Sequence, residues 1–262
     1  MRNVLKFSLL LSAMSLAACS SSPTGRNQLL LFSDQDMSSL GAQSFEQMKK
    51  QQKVSQDKRT NAYVQCVAKS VTQYVPKQAG FSEWEVVVFE SDQVNAFALP
   101  GGKIGVYTGL LKVAKNQDQL ATVIGHEIAH VLADHSNERL SQSQLANTGL
   151  QITSVALGAS EYAQYRQATM AALGLGVQYG VLLPYGRTQE SEADMVGLEL
   201  MAKAGFNPNE SISLWKNMAA ASGGSQPPEL LSTHPSHRTR IQDLNAKIRT
   251  LPTSGAAKPN CS

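Results

Sequence analysis

The sequence predicts an α+β fold, mostly helical, with a small sheet of about three strands packed beside one central helix. Three observations predict it. A short β-branched block, Trp84 to Glu90, is followed by two further extended segments around Pro100-Gly101-Gly102. Helical periodicity dominates before and after that block. The 262 residues, 42% of them hydrophobic, suffice for one sizeable core.

Taking the elements in order, Arg2 and Lys6 precede an apolar stretch, Phe7 to Leu16, that is too short to span a bilayer. Residues 1–18 thus read as a signal sequence, and export is the expectation. The stretch ends in Leu16-Ala17-Ala18-Cys19, which resembles the bacterial lipobox, and that resemblance implies cleavage before Cys19 and a lipid on its sulfur. Ser20 in place of an aspartate implies, by likeness to enterobacterial lipoproteins, the periplasmic face of the outer membrane. An ordinary signal peptide with an incidental cysteine is the alternative. Removing Arg2 and Lys6 lowers the formal charge from +3 to about +1, so no nucleic-acid partner is expected.

Residues 19–34, polar and turn-rich with a short apolar patch at Leu29 to Phe32, read as a tether, residues 35–252 as the folded domain and 253–262 as a tail. Met37, Leu40, Phe45 and Met48, then Val64, Val67 and Val71, have the spacing of amphipathic helices broken around Val54 to Lys58. Pro76 and Gly80 end that region. The three strands follow, the last two as a hairpin. Downstream the chain reads as helical, starting from an Asn116 cap, with breaks near Gly180 to Pro184, Gly205 to Pro208 and Gly223 to Pro228. Leu150 to Pro184 is too interrupted by polar residues for a membrane span. It reads as small-residue helices packed at the central helix or capping a cleft. Cys66 and Cys261 permit one disulfide in an oxidising compartment, or remain a buried thiol and a tail thiol.

His126-Glu127-Ile128-Ala129-His130 lies within the helix that starts at Asn116. On an α-helix, positions i and i+4 differ by about 40° of rotation and one turn of rise, so both imidazoles can face one cation. Glu127 lies beside the same face, placed to hold a water rather than the metal. For this composition the pattern arises by chance about 0.004 times per chain. Catalytic zinc usually takes a third protein ligand. Glu190 and Asp194, again four apart, allow one carboxylate to bind the metal and the other to accept the N–H of a ligand histidine, whereas Glu192 is rotated about 200° away. His135, about 140° around from His130, is expected to be structural.

These pieces resemble metallopeptidase family 48, the gluzincins of the HtpX, BepA and Oma type. The resemblance rests on His126-Glu127-x-x-His130, on Glu190-x-x-Ala193-Asp194 after Arg187, and on Asn95-Ala96-Phe97-Ala98-x-Pro100-Gly101-Gly102. It implies a zincin-like fold, one zinc ion per chain, Glu190 as third ligand and Asp194 as the partner of a ligand histidine. It also implies a promoted-water endopeptidase mechanism with Glu127 as base and proton shuttle. His234, in the His-Pro segment, is by the same resemblance a removable fourth ligand of zinc or a group that stabilises the transition state. Arg238, about one turn later, is expected to support an oxyanion or to pair with a carboxylate of the site. Residues Asn95 to Ala98 are expected to lie at the cleft and pair with an extended, unfolded or partly folded polypeptide. The lipid tether would place this activity beside outer-membrane assembly machinery. Two competitors are a lipoprotein chaperone or assembly factor with a mainly structural zinc site, and a hydrolase of another amide such as one in the cell wall.

Overall fold

A computed structural model describes residues 19–76, 81, 83–178, 182–221, 237–252 and 254–261. The signal segment and His234 therefore lie outside the described residues.

The chain runs β1 (Cys19–Ser21), β2 (Asn27–Leu29), α1 (Asp34–Gln51), α2 (Lys58–Thr72), β3 (Glu85–Phe89), β4 (Ala96–Leu99) and β5 (Lys103–Tyr107). It continues through α3 (Thr108–Leu111), α4 (Gln117–Leu132), α5 (His135–Gly158), α6 (Arg166–Val177), α7 (Leu183–Lys203), α8 (Glu210–Ala221) and α9 (His237–Ile248). The expected mostly helical α+β fold is what the chain adopts. Local chemistry sets the helix starts. Ser33 and Asp36 form a capping box on α1, Asp57 accepts from Thr60 N on α2, and Asn116 accepts from Gln119 N on α4. The side chain of Gln119 turns back to Lys115 N, one residue before the cap.

The three-stranded sheet has the order β3-β5-β4, with β3 parallel and β4 antiparallel to β5. Gly101 and Gly102, at φ 82° and 72°, make the β4–β5 turn that a residue with Cβ would strain. β4 is an edge strand, as expected for the segment after Asn95. One face of the sheet joins α2, α4 and α7 in a core that includes Val64, Val67, Val88, Ile104, Val106, Leu120, Ile124, Ile128 and Met201. The other face gathers Phe45, Phe89, Phe97 and Tyr107.

α4 and α7 meet at glycine. A Cβ on Gly125 would lie 2.7 Å from the Gly197 carbonyl oxygen, and one on Gly197 would lie 2.6 Å from the His126 backbone nitrogen. Two glycines inside helices cost helix propensity, and what they allow is backbone contact between the elements that carry His126, His130 and Glu190.

Two expectations change. Residues 19–33, read as a tether, form a β1–β2 hairpin and a following segment packed on the body: Gln28 is buried and donates to Ala133 O, and Asn137 donates to Phe32 O. The polar side chains that suggested a solvated linker are spent on buried partners instead. Of the Leu150 to Pro184 region, read as small-residue helices packed at the central helix or capping a cleft, none of the described residues is buried. α6 buries no residue, and Ile152, Val155, Tyr162, Tyr165 and Leu175 are exposed. Alternating polar and small residues leave no apolar stripe for the core to bind. No helix among the described residues is long and apolar enough to cross a membrane.

Cys66 and Cys261 form a disulfide across a sequence separation of 195. The bond joins the tail to α2, and the same tail is tied to the start of α4, where Gln117 donates to Pro259 O, Cys261 N donates to Gln117 and Lys258 pairs with the buried Asp118.

Candidate metal centre

His126 and His130 stand one turn apart on α4, and Glu190 reaches them from α7. The Nε2 atoms of the two imidazoles are 3.1 Å apart, and each lies 3.4 Å from a Glu190 carboxylate oxygen. Ligand atoms about 2.05 Å from a tetrahedral zinc ion are about 3.3 Å from one another. The separations, measured to Oε2 of Glu190 from His126 and to Oε1 from His130, are of that order, and one ligand atom from each residue can be taken so that all three fall within 4.8 Å of one another. Buried lone pairs aimed at one point, from two nitrogens and a carboxylate, fit a borderline cation such as Zn2+.

Each imidazole is steered by its far nitrogen. His126 Nδ1 lies 3.0 Å from Asp194 Oδ1. With the metal on Nε2, the proton must sit on Nδ1, so His126 donates to Asp194. Asp194 is in turn gripped by Arg240, which donates from Nε to Oδ2 at 2.7 Å and from Nη2 to Oδ1 at 2.5 Å. Burial opposes the charge of Asp194, but Arg240 and His126 overcome it and hold the carboxyl below its usual range. Arg240 is 4% exposed and its guanidinium lies 3.6 Å from the Trp215 ring centre.

His130 uses a different device. Its Nδ1 is 2.7 Å from His135 Nδ1, and His135 Nε2 is 3.1 Å from Glu192 Oε2. α4 stops at Leu132, and Asp134, at φ 51° and ψ 28°, turns the chain so that α5 starts with His135 folded back on His130. His135 is no ligand, but it is more than filler. Glu192 points away from the ligand triangle as expected, and its partners are His135, Thr24 and Arg26.

Burial lowers His126, yet its hydrogen bonds to Asp194 and Glu190 raise it to about 9, while burial pushes His130 down to about 3 against the pull of Glu190. Glu127 keeps some exposure, but burial first and the charge of Glu190 next raise it to about 7, with His126, Arg240 and Arg139 acting the other way. A carboxyl titrating near neutrality suits a general base. Arg139, half exposed, donates to Gln189 and to Glu190 Oε1 at 3.3 Å, at the open side of the triangle.

Of the residues expected at the site, His126, His130 and Glu190 come together, and Asp194 takes the place expected of it. Arg238 does not. It is exposed at the start of α9, and Arg240 faces inward, because two residues correspond to about 200° of helical rotation. Sequence reasoning missed Arg240, His135 and the role of Glu192. The sequence places an arginine of α9 near the site, but choosing Arg240 over Arg238 needs the phase of that helix, which the sequence does not carry.

A model of peptidase family M48 matches residues 48–248. Among curated relatives, mitochondrial metalloendopeptidase OMA1 of fission yeast is 35% identical over 188 residues, covering 71% of this chain and 52% of that protein. Its bovine counterpart is 32% identical over 253 residues, 91% of this chain and 47% of that protein. The beta-barrel assembly-enhancing protease of Escherichia coli K12 is 34% identical over 170 residues, 63% of this chain and 34% of that protein. The chain thus spans about half the length, or less, of these relatives.

Proposed function

The chain belongs to peptidase family M48, and from that premise we propose that it is a zinc-dependent endopeptidase acting on unfolded or misassembled envelope proteins. The observation that carries the reading is the ligand triangle of His126, His130 and Glu190 with Glu127 beside it. Zinc, when held there, acidifies water and polarises a peptide carbonyl. The chain's own groups do the rest. Glu127 Oε takes the proton from the attacking water and returns it to the leaving amine. Asp194 and His135 fix the rings of His126 and His130, so that both Nε2 atoms keep their aim. Arg240 keeps Asp194 ionised. His234, outside the described residues, is read as a further group near the metal on the family resemblance alone.

The edge position of β4 supports substrate pairing along Asn95, Ala96, Phe97 and Ala98. Main-chain pairing reads backbone rather than side chains, which favours extended, unfolded polypeptides. A lipid on Cys19 would hold the enzyme at the periplasmic face of the outer membrane. The printed name of the Escherichia coli relative, a beta-barrel assembly-enhancing protease, supports that setting and an outer-membrane assembly partner. The test compares cleavage of a quenched unfolded peptide by wild type and Glu127→Gln, both loaded with zinc. Loss of turnover by about 10²-fold or more with zinc retained is expected. Equal cleavage by the two proteins contradicts the role of Glu127, and wild type that only holds unfolded protein favours a chaperone with a structural metal site.

A further inference from the structure

The β1–β2 hairpin reaches toward the metal centre chiefly through Arg26. Arg26 donates from Nη1 and Nη2 to both oxygens of Glu138, at 2.5 and 2.7 Å, and from Nε and Nη2 to Glu192 Oε2, at 3.1 and 3.0 Å. The two glutamates are 1% and 3% exposed at their side chains. Two buried carboxylates facing each other cannot both stay ionised without a cation between them, and Arg26 fills that position. Thr24 adds a hydroxyl donor to Glu192 Oε1 at 2.5 Å.

The direction of every bond from there to the metal is fixed. A cation on His130 Nε2 leaves the proton of that ring on Nδ1, which donates to His135 Nδ1. His135 must then carry its own proton on Nε2 and donate it to Glu192 Oε2. The chain of bonds ends on a carboxylate that the hairpin holds from the other side: Oε1 by Thr24, Oε2 by Arg26. A second line runs from Glu138 to Gln189, whose Nε2 donates at 2.7 Å and whose chain neighbour is the ligand Glu190.

We propose that Arg26 is a positioning residue for the metal ligand His130, acting through Glu192 and His135, so that the hairpin after Cys19 is a working part of the metal site. The inference rests on the triangle being a metal site and not on the peptidase reading. Arg26→Gln removes the charge and the guanidinium fork and leaves one shorter amide donor. Lysine at 26 restores the charge but not the fork that spans two carboxylates.

The full chain, wild type and each variant, is measured for zinc affinity by competition with a chromophoric chelator, for thermal unfolding of the metal-free protein and for peptide hydrolysis. Arg26→Gln is expected to weaken zinc binding about 10-fold, within the range found when outer partners of metal ligands are removed. Arg26→Lys is expected to recover part of that loss, and Thr24→Val to lose about 3-fold, less than Arg26→Gln. Cys261→Ala, which loosens the tail strap on the far end of α4, serves as a control that lowers the unfolding temperature without changing zinc affinity. Zinc binding by Arg26→Gln within about twofold of wild type overturns the proposal, as does a Cys261→Ala control that loses as much affinity for an equal drop in unfolding temperature. Should Arg26→Gln not fold, Thr24→Val decides alone, with unchanged affinity overturning the proposal. Wild type that binds zinc tightly but cleaves nothing defeats the peptidase reading and leaves this inference standing.

Discussion

Replacing Asp194 by asparagine tests the link between the fold and the metal centre, because one carboxylate serves both. Arg240 is 4% exposed and its two bonds to Asp194 are its shortest. Removing one partner of a buried pair costs about 3–5 kcal/mol. Asparagine keeps one acceptor oxygen, and Arg240 retains the Trp215 ring and Glu190 Oε2 at 3.7 Å, so the expected cost is near the lower end, about 3 kcal/mol. In a chain of this size that corresponds to a fall of about 6–12 °C in unfolding temperature. Asp194 Oδ1 accepts from both His126 Nδ1 and Arg240 Nη2, and Oδ2 accepts from Arg240 Nε, so an amide NH2 at either position faces an N–H donor and the charge that steers the His126 ring is gone. The hold on His126 weakens, and zinc affinity is expected to fall about 10–100-fold. Glu127 is untouched, so saturating zinc should restore much of the turnover. Calorimetry of the metal-free protein and chelator competition measure the two effects separately. An unfolding temperature within a degree or so of wild type, with unchanged zinc affinity, refutes the assigned role of Asp194.

Gly197→Ala places a Cβ 2.6 Å from the His126 nitrogen, so it should destabilise by about 1–3 kcal/mol and weaken zinc binding by parting α4 from α7; if the contact were loose, alanine would instead stabilise the helix by up to about 1 kcal/mol, which a denaturant titration distinguishes by sign. Reducing the Cys66–Cys261 bond, which closes a separation of 195 residues, should cost about 5 kcal/mol on the chain-entropy account, and an unmoved guanidinium midpoint under reducing conditions contradicts it. For the acid side of the pH profile, burial and Glu190 raise Glu127 to about 7 in the metal-free site, and the cation draws it lower. A base works only when deprotonated, so kcat/KM should be full above the cation-lowered pKa and fall through it as pH drops; a profile that rises from pH 8 to 5 contradicts Glu127 as the base.

The parts of this site that could be read in advance are the ones set by short-range periodicity. The i, i+4 spacing of His126 and His130, and of Glu190 and Asp194, is independent of everything else in the chain. The same holds for the alternation and turn glycines of β4 and β5. Arg240 was out of reach because choosing it over Arg238 needs the phase of α9 against α7, and no period within α9 supplies that. The pairing of Arg26 with Glu192 spans 166 positions and leaves no local pattern. Its only sequence trace is the Pro23-Thr24-Gly25 turn between two short extended segments, with Gly25 at φ 83°, which marks a hairpin and not a linker. His135 was set aside on the premise that α4 continues, whereas Asp134 ends it. Gly125 and Gly197 carried a legible hint, since glycine inside a helical pattern generally has a packing reason.

The central claim is that His126, His130 and Glu190 hold one cation on which hydrolysis depends. Titrating chelator-stripped full-length protein with zinc while following cleavage of an unfolded quenched peptide tests it most directly. The account predicts no cleavage without metal, a linear rise and a break at one zinc per chain, absent in His126→Ala. Full cleavage by stripped protein, or zinc bound by His126→Ala with wild-type affinity, would contradict it.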